Sequence, residues 1–243
     1  MIPAARAPWF LERFASHVRG RIQDRFSRVV VSGLAEAARL SREEPLVVVS
    51  NHTAWWDPLV ALHVCHTLFG IEAFALMDSK NLRTVPFFQR IGAFGVDLDD
   101  KADGARAIRY GAKLLDRPGR VVWVFPQGRE RPLYERPLGF REGAAQIARV
   151  ARVRTLPVAI HYAFGAVEAP ELHVAFGAPL PITRNVADGA VESERAVVAL
   201  LDRIECARAG DPSAAFETLW QAPTARDLAS KALGYFLPLT YRA

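Results

Sequence analysis

At 243 residues with 51% hydrophobic content, the chain is long enough to form one domain with a full core, and no Gly/Ser linker or break in composition divides it. A formal charge of +5 and a pI near 9.5, carried overwhelmingly by Arg, favour an anionic partner, either a membrane surface or a nucleic acid. Cys65 and Cys206 are too few for a disulfide framework and lack metal-ligand spacing, no stretch reaches the roughly twenty apolar residues of a spanning helix, and the N-terminus lacks a signal-peptide pattern; together these argue against a transmembrane or secreted protein.

The first thirty residues predict an amphipathic helix. After Pro8, the series Phe10, Phe14, Val18, Ile22, Phe26 repeats at four-residue spacing, with Leu11 and Val29 beside it, giving a slowly drifting apolar stripe. Arg13, Arg19, Arg21, Arg25 and Arg28 flank or oppose that stripe, and Trp9 stands at its entrance. Two placements fit this pattern: a helix dipping into lipid headgroups, or one packed on the domain.

The apolar run Leu46 to Val49, bounded by Pro45, predicts a buried strand. A helix is expected from Asp57 to Leu68, a strand from Glu72 to Met77, a short helix from Val85 to Ile91 and a strand from Ala93 to Leu98. Asp103 to Leu115 predicts a helix closed by Pro118-Gly119, followed by a strand over Val121 to Phe125 and a helix from Glu142 to Val150. Thr155 to Tyr162 and Leu172 to Phe176 predict two further strands, and Val191 to Arg208 a late helix. The alternation points to an α/β fold, a single domain with a central, mostly parallel sheet flanked by helices and an N-terminal amphipathic helix. The expected organisation is the helix in 1–30, an α/β domain in 31–210 and a tail in 211–243, where Leu228 to Leu239 suits a surface-seeking or docking segment.

Chemistry is concentrated just after the first predicted strand, in Ser50-Asn51-His52-Thr53-Ala54-Trp55-Trp56-Asp57-Pro58. Five residues separate His52 from Asp57, which places them on opposite faces of a strand and about 140° apart on a continuous helix, so the chain must bend if they are to meet. A strand-to-helix turn supplies that bend, with Asp57 at a helix start where an acid and a following proline are favoured. Histidine takes a proton near neutral pH, and a carboxylate fixes its tautomer and stabilises the imidazolium. Such a pair can activate a substrate hydroxyl without a Ser or Cys nucleophile. A lone histidine beside an apolar strand is more often structural, so the second polar turn matters. Val121 to Phe125 ends in Pro126-Gln127-Gly128-Arg129-Glu130-Arg131, and ligands in α/β sheets bind outside the carboxyl ends of strands.

These segments resemble the glycerolipid acyltransferases typified by lysophosphatidate (1-acylglycerol-3-phosphate) acyltransferase. Asn51-His52 followed by Asp57 matches that family's N-H-x-x-x-x-D block, and Phe125-Pro126-Gln127-Gly128 is similar to its F-P-E-G block. Gly92 to Leu98 resembles the second block, and Thr155 to Ile160, a strand carrying Pro157, the fourth; all four stand in family order over roughly residues 45 to 165. The resemblance implies transfer of a fatty acyl group from acyl-CoA or acyl carrier protein to a lipid hydroxyl, with His52 as general base oriented by Asp57 and no cofactor or metal. It implies substrate binding by Asn51, Gln127, Gly128, Arg129 and Arg131, and acyl-chain or membrane contact by Trp55, Trp56, Phe10 and Phe14. It also favours the membrane placement of the first helix, peripheral on the cytoplasmic face of an anionic membrane. Two departures bear on the acceptor. Leu98 stands where the family has an arginine associated with the acceptor's phosphate, and Gln127 replaces the glutamate, so this side chain can hydrogen-bond but not act as a base. A non-phosphate acceptor, or a non-catalytic lipid-binding protein, is the alternative.

Other signals carry less. Asn51-His52-Thr53 fits a glycosylation sequon but lacks a secretory context. His63 and His66 are three apart on a predicted helix without a recognisable third metal ligand. Phosphate-binding glycine loops and the G-x-S-x-G elbow are absent, and no basic stripe interleaved with aromatics suggests nucleic acid.

Overall fold

Runs of Val and Leu at the centre of this chain offer apolar side chains to both faces of a strand, which suits strands buried between two helix layers. The structure, a computed structural model, describes residues 1–165, 167–211 and 214–223. Its strands are β1 (Arg28–Ser32), β2 (Leu46–Ser50), β3 (Glu72–Asp78), β4 (Ala93–Val96), β5 (Arg120–Val124), β6 (Arg154–Ala163), β7 (Glu171–Phe176) and β8 (Glu217–Gln221). They form one sheet in the order β4-β3-β5-β2-β6-β7-β1-β8. From β4 to β6 neighbouring strands are parallel; β6 pairs antiparallel with β7, β7 parallel with β1, and β8 antiparallel with β1.

Helices α1 (Pro8–Arg25), α2 (Leu34–Glu43) and α3 (Asp57–Leu62), the last continued by a π-helical turn (His63–Phe69), cover one face. The other carries α5 (Lys101–Leu114), α6 (Gly143–Ala151) and α7 (Val186–Arg208), while α4 (Ser79–Thr84) and a 3-10 turn (Pro86–Ile91) connect β3 to β4. Side chains divide between the layers with the strand period of two. Leu46, Val48, Val121 and Trp123 pack with the first layer, and Val47, Val49, Val122 and Val124 with the second. Fully burying such a side chain stabilises the fold by about 1.5–3 kcal/mol, so a charge at Val47 or Val122, each 0% exposed, would break the sandwich.

The topology creates a crevice. Val49 lies in register with Val124, so the carboxyl ends of β2 and β5 stand side by side. From β2 the chain passes through α3 to β3, on the far side of β5; from β5 it passes through α6 to β6, on the far side of β2. The two connections depart on opposite faces and leave the space between the strand ends open, the arrangement that holds ligands in open α/β sheets.

Several expectations are corrected. The first helix stops at Arg25, and Arg28 and Val29 belong to β1, where they pair with Glu171 and Leu172. The stripe faces the domain for much of its length: Val18, Ile22 and Phe26 are core residues, Phe10 and Phe14 are half-buried, and Trp9 is 62% exposed. β4 ends at Val96 instead of Leu98, and α7 begins at Val186, where the Asn185 side chain accepts the Ala187 N–H at 3.0 Å. Leu228 to Leu239 lies outside the described residues. Among the described residues no helix is long and apolar enough to cross a membrane.

Candidate active site

The loop after β2 is fixed at its root. Asn51 is fully buried, its Nδ2 donating to the Ile160 carbonyl at 2.7 Å and its Oδ1 accepting the Ile160 N–H at 2.9 Å. It therefore ties β2 to β6 and does not line the cavity described below. The chain then turns into α3, with the Asp57 N–H donating to the Ala54 carbonyl at 3.0 Å and Pro58 locking the first turn. This is the bend that the five-residue spacing demanded. It brings His52 Nδ1 to 2.7 Å from Asp57 Oδ2.

Asp57 is 0% exposed, and its charge is met by donors from every side. Oδ2 also accepts the N–H groups of Thr53 at 2.6 Å and Ala54 at 2.9 Å, while Oδ1 accepts the Tyr162 hydroxyl at 2.6 Å. Asp57 accepts from each of these donors, and the same role towards His52 puts a hydrogen on Nδ1 and leaves Nε2 as the ring's other nitrogen for a substrate. The ring stacks on Phe125 with centroids 4.5 Å apart, and its side chain is 18% exposed. It borders a cavity of about 480 Å³ together with Pro58, Ala75, Val124, Gly128 and Arg129.

The turn after β5 clamps the His52 backbone from both sides. Gln127, only 1% exposed, accepts the His52 N–H at 2.5 Å, and the Arg131 N–H donates to the His52 carbonyl at 2.9 Å. An amide oxygen fulfils that role as well as a carboxylate oxygen, so Gln127 keeps the positioning that the family's glutamate could provide here. Gly128 has φ of 72° and lies under the Arg141 guanidinium, where a Cβ would sit 3.1 Å from Nη1.

Of the other expected residues, Arg129 borders the cavity, whereas the Arg131 guanidinium is paired with Glu135 at 3.0 Å and does not. Trp55 is 64% exposed, and Trp56 is packed edge-on against Phe26 with centroids 5.2 Å apart. Phe10 and Phe14 stack on each other at 5.8 Å and reach Phe87, which stacks on Phe88 at 4.6 Å; Phe88 in turn lines the cavity. His66 pairs with Glu12 at 3.3 Å, and His63 is buried with its Nδ1 unpartnered.

Tyr162 escaped the sequence reading. Its signal was a hydroxyl ending the apolar series Leu156, Val158, Ile160 on one face of β6. Burial, followed by the neighbouring Asp57 charge, pushes its phenol well above the ordinary range, so it remains a donor. The cavity rim carries Leu98, Asp78 and Glu130 beside Arg129. A larger cleft, about 760 Å³, lies towards the opposite end of β3, lined by Arg6, Glu72 and Arg117 among others. Two of its arginines, Arg6 and Arg117, are bound to Glu72 at 2.8 Å each, and the His52–Asp57 pair is remote from its lining.

The family model described as Acyltransferase matches residues 28–161, over half the chain, from the start of β1 to His161 near the end of β6. A 1-acyl-sn-glycerol-3-phosphate acyltransferase from Streptococcus pneumoniae (strain ATCC BAA-255 / R6) is 27% identical over 150 residues, covering 59% of this chain and 53% of that protein. The chain thus spans about half the length of the curated relative it matches. With the family's matched region enclosing both the loop that carries His52 and the turn that clamps it, the chain belongs to the acyltransferase family.

Proposed function

We propose that this protein transfers a fatty acyl group from a thioester, acyl-CoA or acyl carrier protein, to the hydroxyl of a lipid. The observation that carries this reading is the His52 Nε2 lone pair, fixed by a buried carboxylate at the edge of a cavity that continues into an apolar cleft. That cleft, lined by Ala61, Leu62, Phe74, Ala93 and Trp123, shares Pro58, Ala75, Phe88 and Ala93 with the cavity. The cleft is apolar, and at about 50 Å³ it takes the end of an alkyl chain whose length lies in the 480 Å³ cavity, with the thioester left beside His52. His52 Nε2 takes the acceptor's hydroxyl proton as its oxygen attacks the thioester carbonyl. The C–S bond then breaks, an ester remains, and the imidazolium returns the proton to the departing thiolate. Among the described residues, the Arg129 and Glu130 N–H groups meet no protein acceptor, whereas those of Gly128 and Arg131 are engaged by Phe125 and His52. Arg129 and Glu130 are the candidate donors to the developing oxyanion.

The rim supports an acceptor without a phosphate monoester. Arg129 is the single Lys or Arg among the described residues lining the cavity, and it shares the rim with Asp78, Glu130 and the apolar Leu98. A phosphate dianion would face two carboxylates and one guanidinium, whereas hydroxyls would find acceptors. Exposed Trp9, with Phe10 and Phe14 at the edge of the domain, supports peripheral docking on an anionic bilayer, reading the protein as monotopic on the cytoplasmic face.

One experiment tests both parts. Purified protein, palmitoyl-CoA and an equimolar panel of lysophosphatidate, monoacylglycerol and glycosylated lipid alcohols would be combined in anionic vesicles, with products identified by mass spectrometry. The expected result is preferential acylation of an acceptor lacking a phosphate monoester, and co-sedimentation with vesicles that falls for Trp9→Ala and in high salt. A kinetic preference for lysophosphatidate that disappears in Arg129→Ala would overturn the acceptor assignment. Unchanged co-sedimentation would overturn the docking.

A further inference from the structure

The least expected partner of Asp57, the acid behind the candidate base, lies far from it in sequence, on β6 beside β2. We infer that Tyr162 is a positioning residue for acyl transfer, holding the Asp57 carboxylate through Oδ1 so that Oδ2 keeps His52 in its proton-accepting tautomer. This rests on the reading of His52 as general base. β6 outruns β2: Ser50 at the end of β2 pairs with Val158, and β6 continues to Ala163. Residues of alternate positions share a face, so Tyr162 follows Val158 and Ile160 on the face that carries α3. Its ring is held there by Phe26, stacked at 5.8 Å, and Phe26 is in turn wedged by Trp56. The aromatic packing leaves the hydroxyl aimed at Asp57.

The two carboxylate oxygens have unequal surroundings. Oδ2 receives the Thr53 and Ala54 N–H groups and His52 Nδ1, whereas Tyr162 is the side-chain or backbone donor to Oδ1 among the described residues. Removing that hydroxyl leaves a charged acceptor buried without a partner, which costs more than an ordinary neutral bond. It also lets the carboxylate rotate, and it returns to Oδ2 the charge that the phenol had drawn away. The returned charge makes the His52–Asp57 pair bind a proton more readily, whereas rotation loosens the alignment on which turnover depends. The charged groups around this pair are few: Glu130 acts on Tyr162 from the loop after β5, and Arg129 and Asp78 line the same cavity as His52. None of them contacts Oδ1, so they cannot replace the phenol.

The test compares Tyr162→Phe, which keeps the ring and its packing, with the parent and with His52→Ala. Proton uptake by the His52 imidazole would be followed by NMR of 15N-histidine-labelled protein, without substrate. Acyl transfer would be measured with palmitoyl-CoA and the acceptor preferred by the parent. Tyr162→Phe is expected to move the pH midpoint of His52 protonation, and with it the acid limb of kcat/KM, upward by roughly 0.5 unit or more. It should lower kcat roughly 10- to 100-fold with little change in KM, the size expected for a hydrogen bond to a charged group. 3-Fluorotyrosine at position 162, a stronger donor of nearly the same shape, should move the midpoint the other way. A parental His52 titration and a parental kcat in Tyr162→Phe, with His52→Ala inactive, would overturn the role of Tyr162 alone. Parental activity in His52→Ala would instead overturn the base assignment and this inference with it.

Discussion

At the carboxyl ends of β2 and β5 a carboxylate is buried and its imidazole partly open, whereas across the β6–β7 pair the imidazoles are buried and the carboxylates are the more exposed partners. Asp57 is 0% exposed against 18% for the His52 side chain. In the second cluster His161 and His173 side chains are 4% and 3% exposed, while Glu205 and Glu171 are 55% and 15%. His161 and His173 are paired in register, their rings 6.1 Å apart, and both Nδ1 atoms lack a partner. The contrast shows that a histidine bound to a carboxylate is not by itself a sign of catalysis. What distinguishes His52 is that the fixed charge lies on one side of the ring and the ring borders a cavity of about 480 Å³. Burial instead holds His161 and His173 below the usual imidazole range, although Glu205 and Glu171 pull the other way.

Exchanging the acid for its amide in each cluster should therefore separate them most widely. Asp57→Asn keeps size and an acceptor for the Thr53 and Ala54 N–H groups but removes the charge that stabilises the imidazolium, so kcat should fall by roughly 10²-fold or more. Glu205→Gln should leave kcat within about twofold, because its partner borders no part of the cavity. Equal losses in turnover from the two substitutions would erase the distinction.

A smaller effect is expected in stability against pH, and it belongs to the buried histidines. His63, desolvated in the turn after α3 and facing the Arg19 charge, is pushed down to about 4, and His161 and His173 move in the same direction. A folded-state value below the unfolded one means that the unfolded chain binds more protons in between. Stability is then fully present above about pH 6.5 and is lost as pH falls towards 4, with His63 contributing at most roughly 3 kcal/mol. Urea midpoints should decline over that window, and His63→Leu should flatten the decline. A midpoint constant from pH 7 to 4.5 would contradict the assignment of these three rings as neutral core residues.

How much of this could be read from sequence depended on how locally each feature is encoded. His52 and Asp57 share one short segment with a proline behind the acid, so spacing and helix-start chemistry were enough to predict the bend. The turn at Gln127 was legible because an abrupt change from Val and Trp to Pro, Gln and Gly marks a strand end. β1 was missed because Val29 prolongs the four-residue rhythm of α1, and only pairing with β7 decides against a helix. β8 was missed because Glu217 to Gln221 is a mostly exposed edge strand with no apolar alternation. The resemblance assigns Asn51 and Arg131 to the substrate; within the protein their side chains bond Ile160 and Glu135. Those partners lie 109 and 4 residues away, and neither choice follows from residue type. Tyr162 was hidden for the same reason, since its contact with Asp57 spans 105 residues and exists only once β6 lies beside β2.

The central claim is that His52 performs the proton transfer, and its most direct test is single-residue removal in the purified protein. His52→Ala would be assayed for ester formation from palmitoyl-CoA and the parent's preferred lipid alcohol, with product quantified by mass spectrometry and folding checked by urea midpoint. The account predicts ester formation reduced by roughly 10²- to 10⁴-fold at a nearly unchanged midpoint. Ester formation at the parental rate by folded His52→Ala protein would contradict it.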